Sequence, residues 1–178
     1  MTFSNPAANA AAAASGYVSA LLEVLGSREP LSVLAELIPW LDHRLEGLPE
    51  PTLRRPEGPG KWSVLQVIQH LADSELVMGY RIRMILTQDR PALPGYDQDQ
   101  WAQEFRYDQV PLTLALGQLQ GLRTADLHLW SSLTPQQLER VGLHSERGPE
   151  STGDLLRLLA AHDLVHRRQI DRILASAR

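Results

Sequence analysis

The chain has 178 residues, 43% hydrophobic and 21% charged, a balance ordinary for one globular domain that excludes wholesale disorder. A formal charge of −4 argues against nucleic acid as the main partner, because phosphate binding wants a clustered basic face. There is no cysteine, which excludes disulfides, thiolate metal sites and a cysteine nucleophile, and no stretch approaches the roughly 20 apolar residues of a membrane span.

Residues 1–15 are alanine-rich and lack the basic segment and long apolar core of a signal peptide. They are expected to form a flexible or weakly helical lead to a cytoplasmic protein, with one domain over residues 16–178. Gly16–Leu25 fits a short helix stopped by Gly26. Leu31, Leu34, Ile38, Leu41, Leu45 and Leu48 then recur at steps of three and four, the buried stripe of a first long helix. Ser27 and Pro30 suit its first turn, and Pro39 should kink it. The proline- and glycine-rich run Leu48–Gly60 is a connection.

Ser63 and Gln66 fit a capping box that opens a second helix, with an apolar row of Val64, Ile68, Leu71, Met78, Ile82 and Ile85 running to about Leu86. Thr87–Asp108 is dense in turn formers and reads as a long excursion with at most a helical turn near Trp101. A third helix starts near Pro111 and carries Leu112, Leu116, Leu119, Leu122, Leu129 and Leu133. Thr134–Pro135 opens a short turn, and Gly142–Glu150 is expected to be a polar loop. The last helix starts at Ser151 with Asp154 in its first turn, and its stripe is Leu155, Leu159, His162, His166, Gln169 and Ile173. No segment shows sustained two-residue alternation. The expected fold is therefore all-α, a four-helix up-down-up-down bundle with a long connection between helices 2 and 3.

His162 and His166, four apart on the inward stripe, leave one helix face one turn apart, a spacing that suits two imidazoles on one metal. The alternative is a pair of core histidines, each bonded to a neighbour. His70, in the middle of the second helix, is the natural third ligand. His43 and His128 fall off their apolar stripes and read as solvated, while His144 sits in the polar loop as at most an extra ligand or substrate contact. Candidates to orient the rings are Gln169, one turn past His166, with Asp73 and Ser74 after His70. Asp73 reads rather as outward-facing and Asp163 as solvated. Arg81 suits an anionic substrate group or an ion pair, and Asp126, interrupting the third helix's leucine row, must find a partner. Trp62, Tyr96 and Trp101 are candidates to line a substrate mouth.

The strings GKWSVLQVIQHLADSE, with Arg81 shortly after, and AAHDLVHRRQI resemble the DinB-like metal-binding superfamily. The intervening LTQDRP…YD…W and the HSERG loop are similar to its bacillithiol-transferase-like branch, although Glu75 stands where that branch tends to carry histidine after ADS. The resemblance spans roughly residues 31–175. It implies a four-helix bundle, often a homodimer, with one divalent ion, zinc or nickel, held at the positions matching His70, His162 and His166.

Three imidazoles with open positions are the pattern of a catalytic metal site, whose reacting group is a metal-bound water or a captured thiolate. The resemblance favours transfer of a low-molecular-weight thiol, bacillithiol-like, to an electrophilic small molecule, with Asp126 and Arg81 as auxiliaries. The alternatives are a metal-dependent hydrolase and a non-catalytic, stress-related metal-binding bundle. No nucleic-acid or membrane partner is expected.

Overall fold

The computed structural model describes the backbone of residues 10–176, with side chains from Gly16 onward. Helix α1 (Ala10–Leu25) begins earlier than the Gly16 start, since alanines 10–14 are strong helix formers; the rest of the expected lead, residues 1–9, lies outside the described residues. Helix α2 (Pro30–Leu45) is capped by Glu29, whose carboxylate accepts from Ser32 N–H at 2.8 Å; Pro30 stands in its first turn as expected, while Ser27 lies before it. Pro39 lies inside this helix, where it leaves the Ala35 carbonyl without its usual donor. A one-turn helix, α3 (Glu50–Arg54), interrupts the expected connection.

Helix α4 (Val64–Thr87) opens with the capping box read from the sequence: Ser63 Oγ accepts from Gln66 N–H, and Gln66 Oε1 accepts from Ser63 N–H. The excursion that follows holds more structure than one turn. It contains a short strand β1 (Ala92–Leu93), helix α5 (Gln98–Glu104) capped by Asp97, and a 3-10 turn at Tyr107–Gln109. Helices α6 (Leu112–Ser131), α7 (Pro135–Leu138) and α8 (Thr152–Ser176) complete the helical set.

The segment expected to be a polar loop is instead a hairpin, β2 (Val141–His144) against β3 (Gly148–Ser151), and β1 adds in parallel to β2. Gly142 permits this docking, because a Cβ there would come within 2.6 Å of Leu93 and 2.9 Å of Ile85. These strands are too short to change the class of the fold.

Helices α2, α4, α6 and α8 form the four-helix bundle. Gln69 and Asp73 meet Gln118 while Arg83 meets Asp126, so α4 and α6 run in the same direction. Glu36 meets Arg167 and Arg44 meets Asp171, so α2 and α8 share the other direction. The sense of the third helix thus differs from strict alternation, because the long connection carries the chain back to its starting end. Two apolar packs fill the bundle. One holds Leu34, Ile82, Trp130 and Leu155; the other holds Leu41, Ile68, Leu119 and Ile173. A buried polar layer, including Glu75, Arg123, Asp163 and His166, separates them.

Candidate metal centre

The phase set by the Ser63 cap turns His70 into the bundle, where it is 1% exposed. Four-residue spacing on α8 brings His162, half-buried, and His166, buried, to the same point. His162 Nε2 lies 3.0 Å from His70 Nε2 and 3.0 Å from His166 Nε2. One ligand atom from each ring falls within 4.8 Å of the other two, and among the described residues no other such group of histidines and acids occurs. Three ligands at about 2.0–2.1 Å from a tetrahedral ion stand roughly 3.3 Å apart, close to the two 3.0 Å separations that His162 makes.

Proton placement supports a cation here. His166 donates Nδ1–H to Gln169 Oε1 at 2.7 Å, which leaves its Nε2 as a bare lone pair. The Nδ1 atoms of His70 and His162 are buried without a partner among the described residues. Burial lowers all three pKa values, His166 to about 4 and the other two well below the ordinary value, so the rings are neutral. One proton can serve only one of the two contacts His162 makes. A divalent ion satisfies all three nitrogens at once.

Around the trio, Ser74 Oγ stands 3.4 Å from His70 Nε2 and 3.1 Å from the Tyr96 hydroxyl. Trp62 packs on His70 with ring centroids 5.0 Å apart, and Trp101 packs on Tyr96 at 4.5 Å. All three aromatics named from the sequence therefore stand at or beside the centre. Asp73 does not face outward as expected. It is buried and takes hydrogen bonds from Tyr107 Oη at 2.5 Å, Gln118 at 2.9 Å and Gln69 at 3.3 Å. It binds no histidine, so among the described residues only Gln169 orients a ring of the trio through Nδ1.

Asp163 is likewise fully buried rather than solvated. Arg123 Nη1 donates to it at 2.6 Å and Nη2 at 3.2 Å, while Nη2 also reaches Glu75 at 2.7 Å. Burial works against the Arg123 charge, but Asp163 and Glu75 outweigh it and hold its pKa above the ordinary value. Burial also pushes the Glu75 carboxyl up to about 7 against the pull of Arg123, and Glu75 Oε1 has no partner among the described residues. Arg123 went unnoticed in the sequence. The signal was the spacing Leu119, Arg123, Asp126, Trp130, which is the stripe α6 in fact buries.

Two auxiliaries separate here. Asp126 is taken by Arg83 at 2.7 Å, an ion pair at the bundle edge, and has no place at the histidines. Arg81 is buried and makes no such pair among the described residues. His144 lies on β2, buried against Arg81, and does not join the trio; His43 and His128 are exposed, as read. A hollow of about 520 Å³ between α2 and α8, lined by Glu36, Trp40 and Arg167 among others, contains none of the histidines.

The DinB superfamily profile matches residues 39–170, a span that includes all three histidines and most of the chain. The chain belongs to the DinB superfamily. Two relatives from Oceanobacillus iheyensis, each named "Putative metal-dependent hydrolase", are 33% and 29% identical over 107 and 126 residues. Those alignments cover 60% and 71% of this chain, and 62% and 72% of the relatives. YfiT from Bacillus subtilis, described as a probable metal-dependent hydrolase with an unusual four-helix bundle topology, superposes with a TM-score of 0.72 at 28% identity. That match covers 80% of this chain and 84% of YfiT. This DinB protein thus shares a bundle with YfiT, and YfiT and the sequence relatives carry names that assign them metal chemistry.

Proposed function

We propose that this protein is a divalent-metal-dependent enzyme acting on small molecules, with the ion held by His70, His162 and His166. Its reaction in this reading is transfer of a low-molecular-weight thiol, bacillithiol-like, to an electrophile. The convergence of three neutral Nε2 atoms carries the proposal. Imidazole donors suit zinc or nickel. A bound ion of that kind supplies positive charge that acidifies a thiol or water brought to it.

The surrounding residues favour the thiol. The sulfur must come from outside, since the chain has no cysteine. Each carboxylate of the polar layer is engaged: Asp73 by Tyr107 and Gln118, Asp163 and Glu75 by Arg123, and Asp126 by Arg83. Among the described residues none of these carboxylates is hydrogen-bonded to a histidine of the trio, so none is placed beside the ion to take a proton from water. A thiol, with a pKa of about 8.5, needs far less help. Ser74 and Tyr96 present hydroxyls beside His70 that can orient the incoming group.

The names of the relatives favour hydrolysis as a second reading. The two separate in one assay of zinc- or nickel-loaded protein, with bacillithiol plus a bimane electrophile in one arm and a nitrophenyl ester without thiol in the other. Conjugation that depends on thiol and vanishes in His162→Ala supports transfer. Thiol-independent ester cleavage with the same dependence on His162 replaces it with hydrolysis.

A further inference from the structure

Resting on the reading that the centre serves small molecules, we infer that Arg81 and His144 form a carboxylate-binding subsite beside the three histidines, so that the molecule handled there carries a carboxylate. Arg81 is 5% exposed, yet among the described residues it makes no ion pair. An arginine side chain offers five N–H donors. Here Nη2 meets the Pro94 carbonyl at 2.6 Å and His144 Nε2 at 3.2 Å, and Nη1 meets only the Met78 sulfur at 3.8 Å. Nε is buried with no partner among the described residues. A buried guanidinium left in this state is costly unless an anion completes it.

His144 shows which kind of group is missing. Its Nδ1 accepts from the backbone N–H of Glu146 at 3.2 Å and of Arg147 at 3.3 Å. A ring whose Nδ1 accepts carries its proton on Nε2, and that nitrogen faces Arg81 Nη2. Two donors thus point at each other, and an acceptor with two oxygens satisfies both. Burial and the neighbouring Arg147 and Arg81 charges lower the His144 pKa to about 3, which keeps the ring in this neutral form.

Nearby acids do not fill the role. Glu150 and Glu146 lie near enough to act on the Arg81 charge, but Glu150 is taken by Arg147 and neither forms an ion pair with Arg81 among the described residues. The subsite also adjoins the centre. Arg81 bends back to Met78, one turn or about 6 Å of helix rise beyond Ser74, which touches His70. Pro94, which takes one Arg81 donor, is two residues from Tyr96, which meets Ser74. A carboxylate on Arg81 therefore leaves the rest of a small molecule pointing along Tyr96 and Ser74 toward the histidines.

Calorimetry on the zinc-loaded full chain tests this with two matched pairs. N-acetylcysteine against its methyl ester places the carboxylate on the thiol; succinamate against succinamide places it on a molecule without sulfur. In at least one pair the acid should bind about tenfold more tightly, and Arg81→Gln should abolish that preference while leaving the neutral partner's affinity unchanged. The pair that shows the preference identifies which reactant carries the carboxylate. Arg81→Lys, which keeps the charge but not the fork, should retain part of it and covers a failure of Arg81→Gln to fold. The succinamate pair repeated on metal-free chain separates this subsite from the metal reading, since a preference that persists there needs no ion. Absence of preference in both pairs, or a preference that survives Arg81→Gln, overturns the inference.

Discussion

Gln169 fixes the tautomer of His166, and no other ring of the trio has such a support among the described residues. Gln169→Ala should therefore weaken metal affinity by about 10–100-fold, read by competition with a chromophoric chelator, while far-UV circular dichroism stays unchanged. Glu75 makes a second prediction at this scale. Its folded pKa is about 7, above the ordinary 4.5, so the folded protein holds a proton that the unfolded chain releases between those values. Stability conferred by the protonated group is present below pH 4.5 and is lost as pH rises toward 7. Glu75→Gln should remove that dependence and gain on the order of 1–3 kcal/mol relative to wild type at pH 8, measured by urea unfolding at pH 5 and 8. An equal loss at both pH values would show instead that the Arg123 contact needs the charge at Glu75.

Among the elements, the long connection between α4 and α6 is pinned by the hydrogen bond from Tyr107 to Asp73. Tyr107→Phe leaves a buried carboxylate with one donor fewer and should cost about 1–3 kcal/mol in unfolding free energy. It should also raise hydrogen exchange across residues 98–109 ahead of the bundle helices. The helices were legible in the sequence because their signals are local. The Ser63–Gln66 box and the His162–His166 spacing each lie within one or two turns. The β1–β2–β3 sheet was not, since strands of two and four residues carry no alternation, and β1 is defined only by its distant partner β2. The buried ionic group was missed for a similar reason. Leu122 beside Arg123 gave α6 a plausible leucine row, and only the approach of Asp163 and Glu75 from other helices makes Arg123 an interior residue.

For the whole molecule, the polar layer between two apolar packs makes the protein sensitive to acid. The histidine trio is neutral when folded, with His166 at about 4 against an ordinary 6.5. For groups lowered in this way, stability is present above the unfolded value and lost as pH falls through the folded one. Metal-free protein should therefore lose melting temperature between about pH 6.5 and 4, and bound metal should be released over the same window. Stability that instead holds level to pH 4 would mean the rings are protonated in the fold. The direct test of the account is metal content after loading with zinc or nickel and exhaustive dialysis, on wild type and on the alanine variants of His70, His162 and His166. One tightly held ion per chain is expected in wild type and none in each variant. A wild type that retains no ion, or variants that retain it fully, would contradict it.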